Sequence, residues 1–292
     1  MVILMKPLFV ISSPFDTYSG YGARARDLVK AIIETDKYEV MLMSQRWGNT
    51  PFGFCKDNPE WGFLLEKTLP GNQLTRQPDI WAQVTVPNEF QRVGKFNIGF
   101  TAGIETTVCA GEWIDGCNRM DLNIVSSEHS KKVFQNSKFE KRNKQTNALE
   151  GEIELSKPME VLFEGADLDI YKHLSYGTYE DNLSELRNIK EKFAYLFVGH
   201  WIQGDLGEDR KNVGLLVKAF FEVFKNKINR PALILKTSQV GSSYLDREEV
   251  IKKIKKIAKT VNSKNLPNVY VLNGELSDEE MNELYNHPKV KA

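Results

Sequence analysis

An α/β protein with parallel sheets covered by helices on both faces is the fold class this sequence predicts, and three observations predict it. Short apolar runs alternate with helically spaced segments along most of the 292 residues, the pattern of strand–helix–strand units in a parallel sheet. The alternation comes in two blocks separated by a polar stretch, and 292 residues are comfortable for two domains of about 100–200 residues each. Hydrophobic residues make up 41%, with 16 Phe, 10 Tyr and 5 Trp, so a sizeable core can be buried and compositional disorder is excluded. Two Rossmann-like domains result.

The first block opens on Leu8–Ser12 (LFVIS), a candidate buried strand. The run before it is split by Lys6 and Pro7 and lacks a small-residue cleavage site, so it does not read as a signal peptide. Arg24–Glu34 has helical spacing at Ala25, Leu28, Val29, Ile32 and Ile33. Val40–Met43 reads as the next strand, and Trp47–Pro78 as a turn-rich stretch with no clean period. Asp79–Val86, Asn97–Thr101 and Leu122–Ser126 read as strands, and Glu128–Phe134 as a short helix capped by Ser126 or Ser127. Residues 137–158, rich in Lys, Glu, Asn and Gln, are expected to form an exposed insertion or a mobile loop. Strand character returns at Met159–Phe163, and Gly165 opens a turn.

The second block carries strands at Ala194–Val198, Ala232–Lys236 and Val269–Leu272, and helices at Val213–Phe224, Arg247–Val261 and Asp278–Tyr285. The expected division is an N-terminal domain over 1–165, a linker over 166–190 and a second domain over 191–292. Ligands in open parallel sheets sit at the carboxyl ends of the strands.

Charge and cysteine content narrow the function classes. Lys+Arg and Asp+Glu are 39 each, so the net charge of zero argues against a nucleic-acid partner. No stretch approaches the roughly 18 apolar residues of a membrane span; peripheral membrane contact stays open. Arg247–Lys259 is the most basic segment, and its apolar positions keep helical spacing, which leaves a lysine-rich solvated face. Cys55, Cys109 and Cys117 have no paired spacing, which points to reduced thiols in the cytoplasm and offers no zinc motif.

Several strand-end segments are candidate sites. Ser19-Gly20-Tyr21-Gly22-Ala23-Arg24-Ala25 fits a loose G-x-G-x-x-A, the dinucleotide fingerprint. Gly20 and Gly22 come eight or more residues after Ser12, however, and Gln45 follows the second strand where an acidic residue would hold a ribose. A loop that places backbone N–H groups near a phosphate or sugar suits these glycines better. Asp209-Arg210-Lys211-Asn212 precedes a helix, where two cations oppose the helix dipole. Beside a strand end, Arg210 and Lys211 suit a diphosphate, backed by free N–H groups of the first helical turn. His200 follows the strand end Phe197-Val198-Gly199 and is either structural or in contact with a ligand. Gly165 is either a turn residue or a point of close ligand approach, and Glu105 either a surface carboxylate or an acceptor of sugar hydroxyl groups.

Five stretches in order resemble a GT-B glycosyltransferase, most similar to the retaining family 4 type: SGYGARARDLVKAI, IVSSEHSKKVF, VLFEGADLDIYKH, LFVGHWIQGDLGEDRKNVGLLVKAF and NVYVLNGELSDEEMNELY. The resemblance implies transfer of a sugar, with retained configuration, from a UDP- or GDP-linked donor to a glycan or lipid-linked acceptor, without a bound metal or other cofactor. It implies that Lys211 is the phosphate-contacting lysine and that Arg210 assists it, because Gly199-His200 stands where the family commonly has Gly-Arg. Gly20 and Gly22 match the loop near diphosphate and acceptor, and Glu105 a polar residue facing the sugar. No catalytic nucleophile is assigned. The family's paired glutamates, eight positions apart in a glycine-rich turn, have no counterpart: Glu275 and Glu283 have the spacing but lack the glycine context. The chain is therefore expected to be truncated, with Lys289–Ala292 unpaired and apolar surface bare in the second domain. The alternatives are a non-catalytic sugar-nucleotide-binding fragment and an NAD-dependent oxidoreductase.

Overall fold

The computed structural model describes residues 6–143, 145–175, 183–202, 204, 206–238 and 243–292. The chain divides into two compact units, Met1–Gly165 and Ala166–Ala292.

In the first unit the strands are β1 (Leu8–Ser13), β2 (Glu39–Ser44), β3 (Ile80–Val84), β4 (Phe96–Thr101), β5 (Leu122–Val125), the short β6 (Phe139–Arg142) and β7 (Leu149–Ile153), and β8 (Met159–Val161). Helices are α1 (Gly20–Glu34), the single turns α2 (Phe54–Asp57) and α3 (Phe63–Glu66), α4 (Gly111–Asn118) and α5 (Glu128–Asn136). Six strands form one sheet in the order β2-β1-β3-β4-β5-β8, and every pairing in it is parallel. Alternation along β1 explains the two-sided core. Phe9 and Ile11 face Ala25 and Val29 of α1, while Leu8 and Val10 belong with Ile114 and Cys117 of α4 and Val133 and Phe134 of α5. β1 is buried along its whole length, as a central parallel strand covered on both faces requires.

The 137–158 insertion is ordered as an antiparallel hairpin, β6 with β7, rather than a mobile loop. Phe139, Ile153 and Leu155 pack against the core cluster beneath it, and this anchors its base. α4 has no expected counterpart. Its two glycines mask the pattern, yet Gly116 is needed there, because a Cβ would lie 1.8 Å from the carbonyl oxygen of Pro87.

In the second unit β9 (Ala194–Val198), β10 (Ala232–Lys236) and β11 (Val269–Leu272) form a parallel sheet in the order β11-β10-β9. Helices α6 (Val213–Phe224) and α7 (Tyr244–Thr260) cover one face and α8 (Asp278–Asn286) the other. Along β10, Leu233 and Leu235 join the α6–α7 cluster, and Ala232 and Ile234 join the cluster of Leu186, Ile189 and Leu284. Residues 289–292 are not unpaired. Ala194 donates to the Lys289 carbonyl, Lys291 to the Ala194 carbonyl and Leu196 to the Ala292 carbonyl, so the segment runs along the open edge of β9. Leu284 of α8 is fully buried. Backbone pairing therefore satisfies the segment that was expected to be unpaired. Among the described residues no helix is long and apolar enough to cross a membrane.

Candidate functional site

In the second unit the candidate residues gather at the carboxyl ends of β9 and β10. Gly199 follows β9 directly, with φ +152°, a conformation that favours glycine. The side chain of Lys211 lies across it: a Cβ at Gly199 would sit 2.8 Å from the Lys211 ammonium and 3.1 Å from its Cδ. Glycine here thus serves the backbone turn and opens the space the lysine occupies. Lys211 and Arg210 are both exposed. His200 Nδ1 lies 3.1 Å from the Ser238 hydroxyl, and the Trp201 amide donates to the Ser238 carbonyl. The structure thus uses His200 to tie the loop after β9 to the loop after β10.

One expectation fails here. The first-turn N–H groups of α6 are not all free for a phosphate, because the Asp209 carboxylate accepts from Val213 N at 2.7 Å and from Gly214 N at 3.2 Å. Asp209 is 3% exposed, and Asn212, at φ +53°, turns the chain so that the carboxylate reaches back over the helix end. A buried anion at a helix N-terminus is well placed. The paired cations Arg210 and Lys211 follow Asp209 in sequence and stand in solvent.

Lys236, the last residue of β10, was missed in the sequence because it closes an ordinary apolar run. It is half-buried, its ammonium donates to the Gly274 carbonyl, and burial pushes its pKa below the usual lysine value against the opposing pull of Glu275. One ammonium proton is used in that bond, and an ammonium carries three. Thr237 beside it is buried, and its hydroxyl has no partner among the described residues. A lysine ending a buried strand just where ligands bind parallel sheets is the signal that would have found it.

In the first unit Gly20 and Gly22 do not form a loop. They occupy the first turn of α1, capped by Ser19, whose hydroxyl accepts from Gly22 N at 2.9 Å. The helix starts four residues before the predicted boundary because Ser19 caps it. The two glycines differ: a Cβ at Gly22 would lie 2.4 Å from the Thr17 carbonyl oxygen, whereas one at Gly20 would meet nothing within 4 Å. Gly22 is thus a packing glycine. The 14–19 segment is held by the buried Arg26, which donates to the Phe15 and Thr17 carbonyls and stacks 3.4 Å from the centroid of Phe54.

Glu105, in the loop after β4, is exposed and has no partner among the described residues. That loop is fastened by α5, because Ser130 Oγ accepts from Ile104 N and a Cβ at Gly103 would lie 2.2 Å from it. Gly165 has open space around it. Just before it, Arg24 of α1 donates to the Leu162 and Phe163 carbonyls. Gln45 neither meets nor replaces the acidic residue of a dinucleotide site; its amide donates to Ser12 Oγ at 2.6 Å. Cys55, Cys109 and Cys117 are buried free thiols. Burial pushes Cys55 and Cys117 up to about 12, so neither is a ready nucleophile.

No family model matches this sequence, and no curated protein matches it. Solved structures give distant likenesses. An apo structure of OtsA is 14% identical at a TM-score of 0.48, covering 95% of this chain and 76% of that one. The N-terminal domain of a Candida albicans trehalose-6-phosphate phosphatase is 12% identical at a TM-score of 0.48, covering 98% and 76%. A UDP-forming trehalose-phosphate synthase from Burkholderia vietnamiensis is 10% identical at 0.46, covering 96% and 76%. At such values these likenesses are distant and carry no function across.

Proposed function

We propose that this chain is a glycosyltransferase of the GT-B type, moving a sugar from a UDP- or GDP-linked donor to a glycan or lipid-linked acceptor with retention of configuration. The resemblance of its ordered motifs suggests the class. The observation that carries the reading is Lys211, whose ammonium lies over Gly199 at the carboxyl end of β9 and has no partner among the described residues. In the transfer, the acceptor hydroxyl oxygen bonds to the sugar C1 as the bond from C1 to the diphosphate oxygen breaks; the electron pair leaves with the diphosphate, which takes up the acceptor hydroxyl proton. Lys211 offsets the charge that develops there, assisted by Arg210 and by the two unspent donors of Lys236. On this reading the second unit holds the donor, the first holds the acceptor, and the protein works in the cytoplasm, where buried thiols stay reduced.

Hydrolysis or transfer assays across UDP-, GDP- and ADP-sugars test the reading. Lys211→Ala is expected to lower turnover about 10²-fold or more, the scale of losing one transition-state charge stabiliser. Near wild-type turnover in that variant would remove Lys211 from the site. Tight nucleotide-sugar binding without turnover in the wild-type protein would make the chain a binding module.

A further inference from the structure

Among the described tryptophans of the first unit, Trp47 alone belongs to neither core cluster. It follows β2 in the turn Trp47–Thr50, which is closed by a hydrogen bond from the Thr50 amide to the Trp47 carbonyl. Its indole stacks on the ring of Tyr21 at a centroid distance of 4.0 Å and an interplanar angle of 24°. Tyr21 is in turn fixed from the far side: its hydroxyl accepts from the Ala102 amide at 3.0 Å and lies 3.2 Å from Thr101 Oγ1. Its ring packs against the α1-side core, whereas Trp47 belongs to neither cluster. The first turn of α1, the loop after β2 and the end of β4 therefore hold one half-buried aromatic pair at the carboxyl edge of the sheet, with no Trp47 indole N–H partner among the described residues.

From this geometry we infer that the Tyr21–Trp47 pair is a platform for a neutral pyranose ring, the acceptor sugar if the glycosyltransferase reading holds. An aromatic face carries partial negative charge and packs against the polarised C–H bonds of a pyranose's apolar face. A rigidly held ring with a few convergent polar groups is the usual make-up of a small-molecule site. The half-buried Gln45 at the same edge, whose amide donates to Ser12 Oγ, suits sugar hydroxyl groups. Stacking positions the ring, and hydrogen bonding of this kind selects among its epimers.

Saturation-transfer-difference NMR on the intact chain tests this. The probes are methyl pyranosides of glucose, galactose, mannose and N-acetylglucosamine, each at about 10 mM, above the usual range of KM values. Uridine and adenosine serve as nucleobase probes. The expected result is transfer to the axial C–H protons of at least one pyranoside. Affinity should fall about tenfold in Trp47→Ala, the scale of one aromatic contact, and by less in Trp47→Phe, with circular dichroism unchanged in both. No pyranoside signal, equal signals in wild type and Trp47→Ala, or a Trp47-dependent signal from the nucleosides alone would each overturn the inference. Wild-type hydrolysis of nucleotide sugars is measured separately. If it is absent while Trp47-dependent pyranoside binding persists, the transferase reading fails and the platform stands.

Discussion

Two glycines one residue apart in the first turn of α1 do different things. Gly22 presses on the Thr17 carbonyl, and Gly20 touches nothing. Gly22→Ala is expected to cost about 1–3 kcal/mol, because an added methyl must displace backbone and the better helix propensity of alanine recovers about 1 kcal/mol at most. Gly20→Ala should stay within about 0.5 kcal/mol of wild type. Urea denaturation of the two variants checks both, and equal destabilisation would show that the contact at Gly22 is not limiting. A glycine-rich motif in the sequence marks both positions alike; only the packing separates them. The same holds for Lys211, where the sequence marks a cation near a strand end and the structure adds that the glycine opposite makes room for it.

At the level of elements, the α6 terminus is the case where the sequence signal left out a group. The basic pair Arg210-Lys211 drew attention, but the group bonded to the helix end is Asp209. Asp209→Ala should therefore cost about 1–2 kcal/mol as a lost cap, and more if the freed N–H groups stay dry. It should also free those N–H groups for an anion, so nucleotide affinity should hold or rise while thermal stability falls. Parallel melting and nucleotide-titration measurements check this, and a joint loss of both would indicate that the carboxylate shapes the site instead. The strands Ala194–Val198, Ala232–Lys236 and Val269–Leu272 were legible to the residue because continuous apolar runs are what doubly covered strands require. The β6–β7 hairpin was illegible because its alternation is mostly polar, with only its base packed on the core. α4 was illegible because its glycines serve a backbone contact.

For the molecule as a whole, each unit has its own pair of core clusters, one on either face of its sheet. Each can therefore unfold as a cooperative element of its own. Calorimetry is expected to resolve two transitions, and a nucleotide sugar should raise the one belonging to the unit that binds it. A single transition with equal calorimetric and van't Hoff enthalpies would contradict this. The apolar surface expected of the second unit is present, at Leu168, Leu215, Val223, Ile228 and Leu245 among others, whereas the edge of β9 is paired by residues 289–292.

What the sequence determined by itself is the class and order of the elements, because hydrophobic periodicity reports which faces must leave water whatever they pack against. It also determined where chemistry was to be sought, since strand ends are marked by the turn from apolar runs to glycine and charge. Only the tertiary structure decided which side chain meets which: that Asp209 takes the helix N–H groups, that Lys236 is half-buried at a strand end, and that Tyr21 and Trp47, 26 residues apart in sequence, form one stacked pair. The Asp209 contact is local and depends on the turn at Asn212, whereas the other two join segments whose proximity comes from parallel strand pairing, which no local pattern in the chain encodes.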